Sequence, residues 1–102
     1  MSLVNIDSLR THVLRLLGRM APPGGIELMS YKRNRTVALI CRENGRVLVR
    51  ERGYVEQEME VAPDDLPRLL KTLIKREFPR SRKVRVHKFA DPVELERIHQ
   101  KI

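Results

Sequence analysis

The 102-residue sequence contains no tryptophan, two tyrosines, two phenylalanines and a single cysteine, Cys41. With so few aromatic residues the core must be mainly aliphatic, and a base-stacking platform of the RNA-recognition-motif or oligonucleotide-barrel kind is not expected. One cysteine cannot form an internal disulfide, so a reducing compartment is expected. We expect Cys41 to be a small buried apolar residue, because a reactive thiol needs an exposed, electropositive setting.

Long apolar runs are also missing from the sequence. No stretch approaches the roughly 20 apolar residues that a membrane-spanning helix needs. The first residues do not combine a basic start, an apolar run and a small-residue cleavage site, so we predict no signal peptide. We therefore expect a cytoplasmic protein with no membrane partner.

Patterns that carry catalysis or bind metals are missing as well. His12, His87 and His99 lie in three different predicted elements, and none has a second histidine or a cysteine at zinc-ligand spacing. The adjacent acids Asp64 and Asp65 are explained by the start of a helix, where carboxylates meet the positive end of the dipole. We predict no metal, no cofactor and no enzymatic activity. The alternative is an enzyme with a pocket between helix and sheet that combines His87 or His12 with a carboxylate.

What the sequence does have is a strongly uneven distribution of charge. The formal net charge is +8, and the segment 68–88 carries nine basic residues against one acid, Glu77. The whole chain has 21 Lys and Arg and 13 Asp and Glu. Outside the segment 68–88, therefore, the numbers of basic and acidic residues are equal. The basic residues of this segment are Arg68, Lys71, Lys75, Arg76, Arg80, Arg82, Lys83, Arg85 and Lys88.

This basic segment suggests a function, because a local positive field concentrates polyanions and acidic surfaces. We hypothesise a small non-enzymatic binding protein whose basic surface contacts a polyanion, with the backbone of RNA or DNA favoured, since phosphate contacts require only positive charge and hydrogen-bond donors. Arg80, Arg82 and Lys83 are the strongest candidates for the contact site.

Two alternatives use the same residues differently. In the first, the protein is an interaction or assembly module that meets an acidic protein partner, or a second copy of itself as a homodimer, through an exposed strand edge. In the second, the cations merely solvate a helix face and protect an edge strand from aggregation.

Apolar periodicity predicts a single α+β domain over residues 1–102, with the element order α-β-β-β-β-α-β-α. A mostly antiparallel five-stranded sheet is covered by helices, and the fifth strand is expected beside the first, in the order 5-1-2-3-4. The predicted strands are 26–32, 36–42, 46–52, 55–61 and 83–89, and the predicted helices are 6–20, a second opening near Asp64 and ending before Pro79, and a short third beginning at Asp91.

Two turns and one central strand give more specific expectations. Asn44-Gly45 predicts a two-residue type I′ turn, and a three-residue loop 52–54 with Gly53 in the left-handed region predicts Arg50 opposite Glu56. In this register the acids Glu56, Glu58 and Glu60 become ion-pair partners of Arg46, Arg50 and Arg52 rather than a metal or general-acid site. The strand 36–42 is apolar on both faces, which predicts one helix on each side of the sheet.

Overall fold

A computed structural model describes residues 2–30, 32 and 34–93. These residues form one antiparallel sheet with the strand order β1-β6-β2-β3-β4-β5 and two α-helices, so the predicted α+β class is confirmed. The elements are β1 (Ser2–Asn5), α1 (Ile6–Leu17), β2 (Gly25–Met29), β3 (Thr36–Cys41), β4 (Val47–Arg52), β5 (Glu56–Val61), α2 (Leu66–Glu77), which a 3₁₀ turn (Pro63–Asp65) precedes, and β6 (Lys83–Phe89).

The sheet has one strand more than the sequence predicts. β6 pairs with β2 as expected, but the short strand β1 pairs with the other side of β6, so β6 is an interior strand. The predicted count of five strands, and the order that ends at β6, are therefore wrong at this edge. The β1 sequence Ser-Leu-Val-Asn does not alternate between apolar and polar residues, so periodicity does not mark it as a strand. The pairing partner of β1 lies about 80 residues away in the sequence, as in the pair Leu3–Arg85.

Both helices pack on the same face of the sheet. Leu9 and Val13 of α1 and Leu70 and Leu73 of α2 belong to a single buried cluster with strand residues such as Leu39. The prediction of one helix on each face therefore does not hold for α1 and α2, since apolar residues on both sides of a strand do not reveal which elements cover them. The opposite face has a separate small buried cluster of Ala38, Ile40 and Phe89, against which Leu48 packs.

The two predicted hairpins form, but with different turns. Three residues connect Arg42 to Arg46, whose backbone N–H and C=O groups pair at 2.9 Å, so the predicted two-residue type I′ turn is wrong. Gly45 takes a φ of 81°, which a residue without Cβ adopts at little cost.

The register of β4 and β5 is displaced by two residues from the predicted one. Arg50 lies opposite Glu58, not Glu56, because the loop occupies residues 53–55. Gly53 does not have the positive φ expected of it, since Gly45 is the glycine with that conformation among the described residues. A shift of two residues preserves the face to which each side chain points, so the charged row and the apolar row remain separate as predicted.

The start and the end of α1 and the start of α2 can be compared with the predicted helix boundaries. The Asn5 Oδ1 atom accepts a hydrogen bond from the backbone N–H of Asp7 at 2.9 Å, so Asn5 is the cap of α1. α1 ends at Leu17, three residues earlier than expected. Asp64 does not cap α2, because it lies in the 3₁₀ turn, and Asp65 at the N-cap makes no capping side-chain hydrogen bond.

The predicted third helix lies largely outside the described residues. At its expected start, Asp91 Oδ1 accepts a hydrogen bond from the N–H of Val93 at 3.0 Å, whereas residues 94–102, including His99, are not described. Within residues 2–93, apart from positions 31 and 33, neither helix has the length and apolar character needed to cross a bilayer.

The cap of α1 provides a test of this local reading. Replacing Asn5 with alanine should lower the free energy of unfolding by about 1 kcal/mol, because the backbone N–H of Asp7 loses its side-chain acceptor. Urea unfolding measures this change. Asn5→Asp keeps the accepting oxygen and should unfold like the parent protein, and equal losses in the two variants would contradict the capping role.

Candidate anion-binding cleft

The nine predicted binding residues do not form one surface. Arg68, Lys71 and Lys75 are exposed on α2, whose apolar side packs on the sheet. Lys83 and Arg85 alternate along β6 with the buried Val84 and Val86, so they lie on the face opposite the helices. Strand alternation separates Lys83 and Arg85 from the cations of α2, which lie on the other side of the sheet. Lys88 follows the alternation of Val84 and Val86 and lies on the face of the helices, opposite Ile26.

One of the nine is a partner of a buried acid. Arg76 Nε and Nη2 donate hydrogen bonds to the two carboxylate oxygens of Glu51 at 2.8 and 2.7 Å. Glu51 is 1% exposed, and Gln57 Nε2 donates to the same carboxylate at 2.8 Å. A bidentate pair of this kind satisfies the buried charge. Arg76 is thus structural, and the prediction that it contributes to an open binding surface has no support in its contacts.

Arg80, in contrast, lines an open cleft at one end of the sheet. Three loops meet there: the β2–β3 loop, the β4–β5 loop and the segment between α2 and β6. The cleft has a volume of about 670 Å³. We call this cleft the anion cleft. It is lined by Ser30, Lys32, Asn34, Arg35, Tyr54, Glu77, Pro79, Arg80 and Ser81.

The β2–β3 loop is closed by hydrogen bonds at its base. The backbone N–H of Ser30 donates to the carbonyl of Arg35 at 3.0 Å, and its hydroxyl donates to Asn34 Oδ1 at 2.9 Å. The same hydroxyl oxygen accepts from the N–H of Arg35 at 3.2 Å. Short polar side chains that bond to the nearby backbone favour tight turns. This closure fixes the backbone position from which Arg35 reaches the cleft.

Glu77, the last residue of α2, joins the other two walls of the cleft. Its carboxyl oxygens accept hydrogen bonds from the backbone N–H groups of Tyr54 at 2.9 Å and Val55 at 3.3 Å. Its backbone carbonyl accepts from Arg35 Nη1 at 3.3 Å. A Cβ atom at Gly53 would lie 2.7 Å from Glu77 Cδ, so only glycine permits this approach.

Arg35 and Tyr54 form a stacked pair at the mouth of the cleft. The Arg35 Cζ atom lies 3.8 Å from the centroid of the Tyr54 ring, within the range of a cation–π contact. The Tyr54 side chain nevertheless stays 66% exposed. Sequence analysis did not identify either residue as part of a site.

The carboxyl groups of Glu77 and Glu51 interact with each other, and their pKa values shift in opposite directions. Burial raises the pKa of Glu77, and the Glu51 carboxylate beside it raises it further. Burial also acts to raise the pKa of Glu51, but hydrogen bonds from Arg76, Glu77 and Gln57 outweigh it and hold this pKa below its ordinary value. The pair therefore favours a neutral Glu77 beside an ionised Glu51.

The anion cleft consequently has a strong excess of positive charge. Lys32, Arg35 and Arg80 line it, while its single acidic residue, Glu77, is 0% exposed and directs its carboxyl into the protein. Guanidinium and ammonium groups together with the hydroxyls of Ser30 and Ser81 suit phosphate or carboxylate ligands. The cleft is therefore a candidate anion-binding site.

The sequence contains a signal for this cleft that the charge analysis missed. Three cations, Lys32, Arg33 and Arg35, occur within four residues, at the end of the first predicted strand and in the loop that follows it. Counting charge over one long segment hid them, because acids elsewhere balance the total. Arg80 is the residue that the sequence analysis and the cleft share.

Other candidate chemical groups lie apart from the anion cleft. His87 is opposite Glu27 in the sheet register, on the face away from α1 and α2, so it does not belong to a pocket between those two helices and the sheet. His12 lies on α1. Cys41 is half-buried rather than fully buried, and burial raises the pKa of its thiol. The described residues include no group of three His, Cys, Asp or Glu side chains placed to hold a metal ion.

The acidic row on β5 has the structural role expected of it for two of its three acids. Arg50 Nε bonds to Glu58 at 2.8 Å, and Arg46 Nε lies 3.5 Å from Glu60. Arg42, which was not predicted as a partner, also approaches Glu60. Exposed pairs of this kind each contribute little stability, but they neutralise this part of the surface.

No protein-family model matches the chain, and no curated protein or solved structure matches it at a significant level. Relatives therefore contribute nothing to the functional assignment. The chemistry of the anion cleft is the basis for a proposal.

The Glu51–Glu77 pair predicts an unusual dependence of stability on pH. A pKa that is raised in the folded state means that Glu77 ionises more readily once unfolded, so the free energy of unfolding falls as pH rises from the ordinary carboxyl range. The opposite contribution of Glu51 is lost only in stronger acid, below its ordinary pKa. Glu77→Gln keeps an acceptor for Tyr54 and a donor for Glu51, so it should not show this decline.

Urea unfolding of both proteins between about pH 5 and about pH 8 tests the prediction. The parent should lose stability relative to Glu77→Gln as pH rises, whatever the constant offset between them. A difference that stays flat, or one that changes in the other direction, would contradict a neutral Glu77.

The close approach at Gly53 gives a second test. Gly53→Ala places a methyl group against the Glu77 carboxyl, so the loop must move, with a loss of about 1–3 kcal/mol in the free energy of unfolding. Gly18→Ala is the matched control, because the nearest atom to its new Cβ is at 3.5 Å, an ordinary contact. Similar stabilities for the two variants would show that Glu77 does not require a glycine at position 53.

Proposed function

We propose that this protein is a small non-enzymatic binding protein whose ligand is a polyanion, with nucleic-acid backbone as the favoured class. The observation that carries the proposal is the convergence of Lys32, Arg35 and Arg80 on one cleft whose single acid is buried. Phosphate binding needs positive charge and hydrogen-bond donors, and both are present.

The exposed cations of α2 support an extended ligand rather than a single small anion. α2 ends at Glu77, which lines the cleft, and Arg68, Lys71 and Lys75 are exposed along the preceding turns. At 1.5 Å per residue these three cations span about 10 Å of the helix axis. No ion pair among residues 2–30, 32 and 34–93 involves them. A strand that enters the cleft can continue along this row.

The proposal therefore uses fewer residues of the basic segment than its composition suggested, and adds others. Arg80 and the α2 row remain in the proposed surface, whereas Arg76 pairs with Glu51 and Lys83 lies on another face. Lys32 and Arg35 enter from outside the segment. Arg82 is exposed close to the cleft, and its carbonyl accepts from the N–H of Ile6 at 2.8 Å.

Strand β6 is paired on both sides, so the alternative of self-association through a strand edge would use β1 or β5 instead. An acidic protein partner would use the same cations as a nucleic acid. It is therefore treated as an outcome of the binding experiment.

The double variant Lys32→Glu/Arg80→Glu should weaken binding to labelled oligonucleotides by at least about tenfold in low salt. It should also reduce the slope of log affinity against log salt by about two, because each phosphate contact contributes about one. Fluorescence anisotropy measures both quantities. The control Arg10→Glu/Arg19→Glu makes the same charge change at exposed positions of α1 and the residues after it, and it should keep both the affinity and the salt slope of the cleft.

Absence of association with single- and double-stranded oligonucleotides at about 0.02 M salt would overturn the proposal. Equal losses in the two double variants would also overturn it, since binding would then follow total charge rather than the cleft. Tighter binding of an acidic polypeptide than of an oligonucleotide of equal charge would replace nucleic acid by an acidic protein partner.

A further inference from the structure

We infer that the anion cleft binds one nucleotide unit of a single strand, with the base stacked on Tyr54 and the adjoining phosphate on Lys32 and Arg80. This inference rests on the proposed function and specifies the ligand at the same site. It begins with the Tyr54 side chain, which at 66% is the most exposed large hydrophobic side chain among the described residues.

An exposed tyrosine at the mouth of a cationic cleft can provide a stacking surface. The Arg35 guanidinium lies against the Tyr54 ring at 3.8 Å from its centroid, and the ring is otherwise largely open to solvent. A base added to the uncovered side would extend the stack of guanidinium and ring. Stacking of this kind accepts any base, because every base has a π-face.

The stack is held in position before any ligand binds. The N–H of Tyr54 donates to the Glu77 carboxyl, and the Arg35 guanidinium donates to the Glu77 carbonyl, so both partners of the stack are anchored on one buried residue. Preorganisation reduces the ordering cost of binding.

The size and polarity of the cleft fit a nucleotide unit. Its volume of about 670 Å³ lies within the range of about 300–1,000 Å³ typical of small-ligand sites. Ser30, Asn34 and Ser81 supply hydrogen-bonding groups around the cations, and such groups can meet base edges or sugar hydroxyls.

A single strand is the form of nucleic acid that such a site can take. Bases inside a duplex are already stacked on each other and do not present a free face. A free nucleotide offers the same base and phosphate, but it leaves the α2 row of Arg68, Lys71 and Lys75 unused. A strand of several nucleotides contacts both.

The test compares four probes on the parent protein by fluorescence anisotropy or competition. They are a single strand of about eight nucleotides, the same strand with abasic sites, its duplex, and a mononucleotide. The single strand should bind about 5- to 150-fold more tightly than the abasic strand, which corresponds to one stacked base. The abasic strand and the single strand should have the same salt slope, because they carry the same phosphates.

Variants of Tyr54 provide the second arm of the experiment. Tyr54→Phe keeps the ring and should bind all probes like the parent, whereas Tyr54→Leu keeps apolar volume without a π-face. Tyr54→Leu should bind the ordinary and the abasic strand equally, at the affinity that the parent shows for the abasic strand. The measurement on the parent protein alone keeps the inference testable if a variant fails to fold.

The outcomes separate this inference from the proposed function. If abasic and ordinary strands bind the parent equally while Lys32→Glu/Arg80→Glu still weakens both, stacking is overturned and polyanion binding stands. If no probe binds, both fail. If the mononucleotide binds as tightly as the strand, or the duplex as tightly as the single strand, the assignment to single-stranded nucleic acid is overturned.

Discussion

The geometry of the candidate site depends on one buried residue, Glu77. Its carboxyl accepts the N–H groups of the β4–β5 loop, and its carbonyl accepts the Arg35 guanidinium from the β2–β3 loop. Because Glu77 also ends α2, three segments that are far apart in the sequence meet at a single side chain and its peptide group. Gly53 makes this possible by leaving room for the carboxyl.

A buried carboxyl must either be neutral or have hydrogen-bond donors that stabilise its charge, and Glu77 and Glu51 meet this requirement together. Glu51 retains its charge because Arg76 and Gln57 donate to it, and Glu77 is favoured in the neutral form beside it. Arg76 of the basic segment is therefore paired with a buried acid. Acids are removed from the cleft surface by the same arrangement, which leaves its exposed charges positive.

The sheet and the two helices form a scaffold, and the loops at one end of the sheet carry the candidate binding residues. Six paired strands and two helices on one face form the scaffold, and the cations and Tyr54 project from loops at its end. Binding residues are commonly displayed in this way, because loops tolerate change while the core fixes their positions. The short strand β1 completes the scaffold by covering the edge of β6.

The sequence alone determined the features that depend on neighbouring residues or on strict periodicity. These include the α+β class, the two described helices, the hairpin strands with their alternating faces, and Arg80 as a candidate. Only tertiary structure decided which face the helices cover, where β1 pairs, and how Glu77 joins Arg35 to Tyr54. Those outcomes depend on contacts between residues 23 to about 80 positions apart, and local propensity and charge counts carry no information about such pairs.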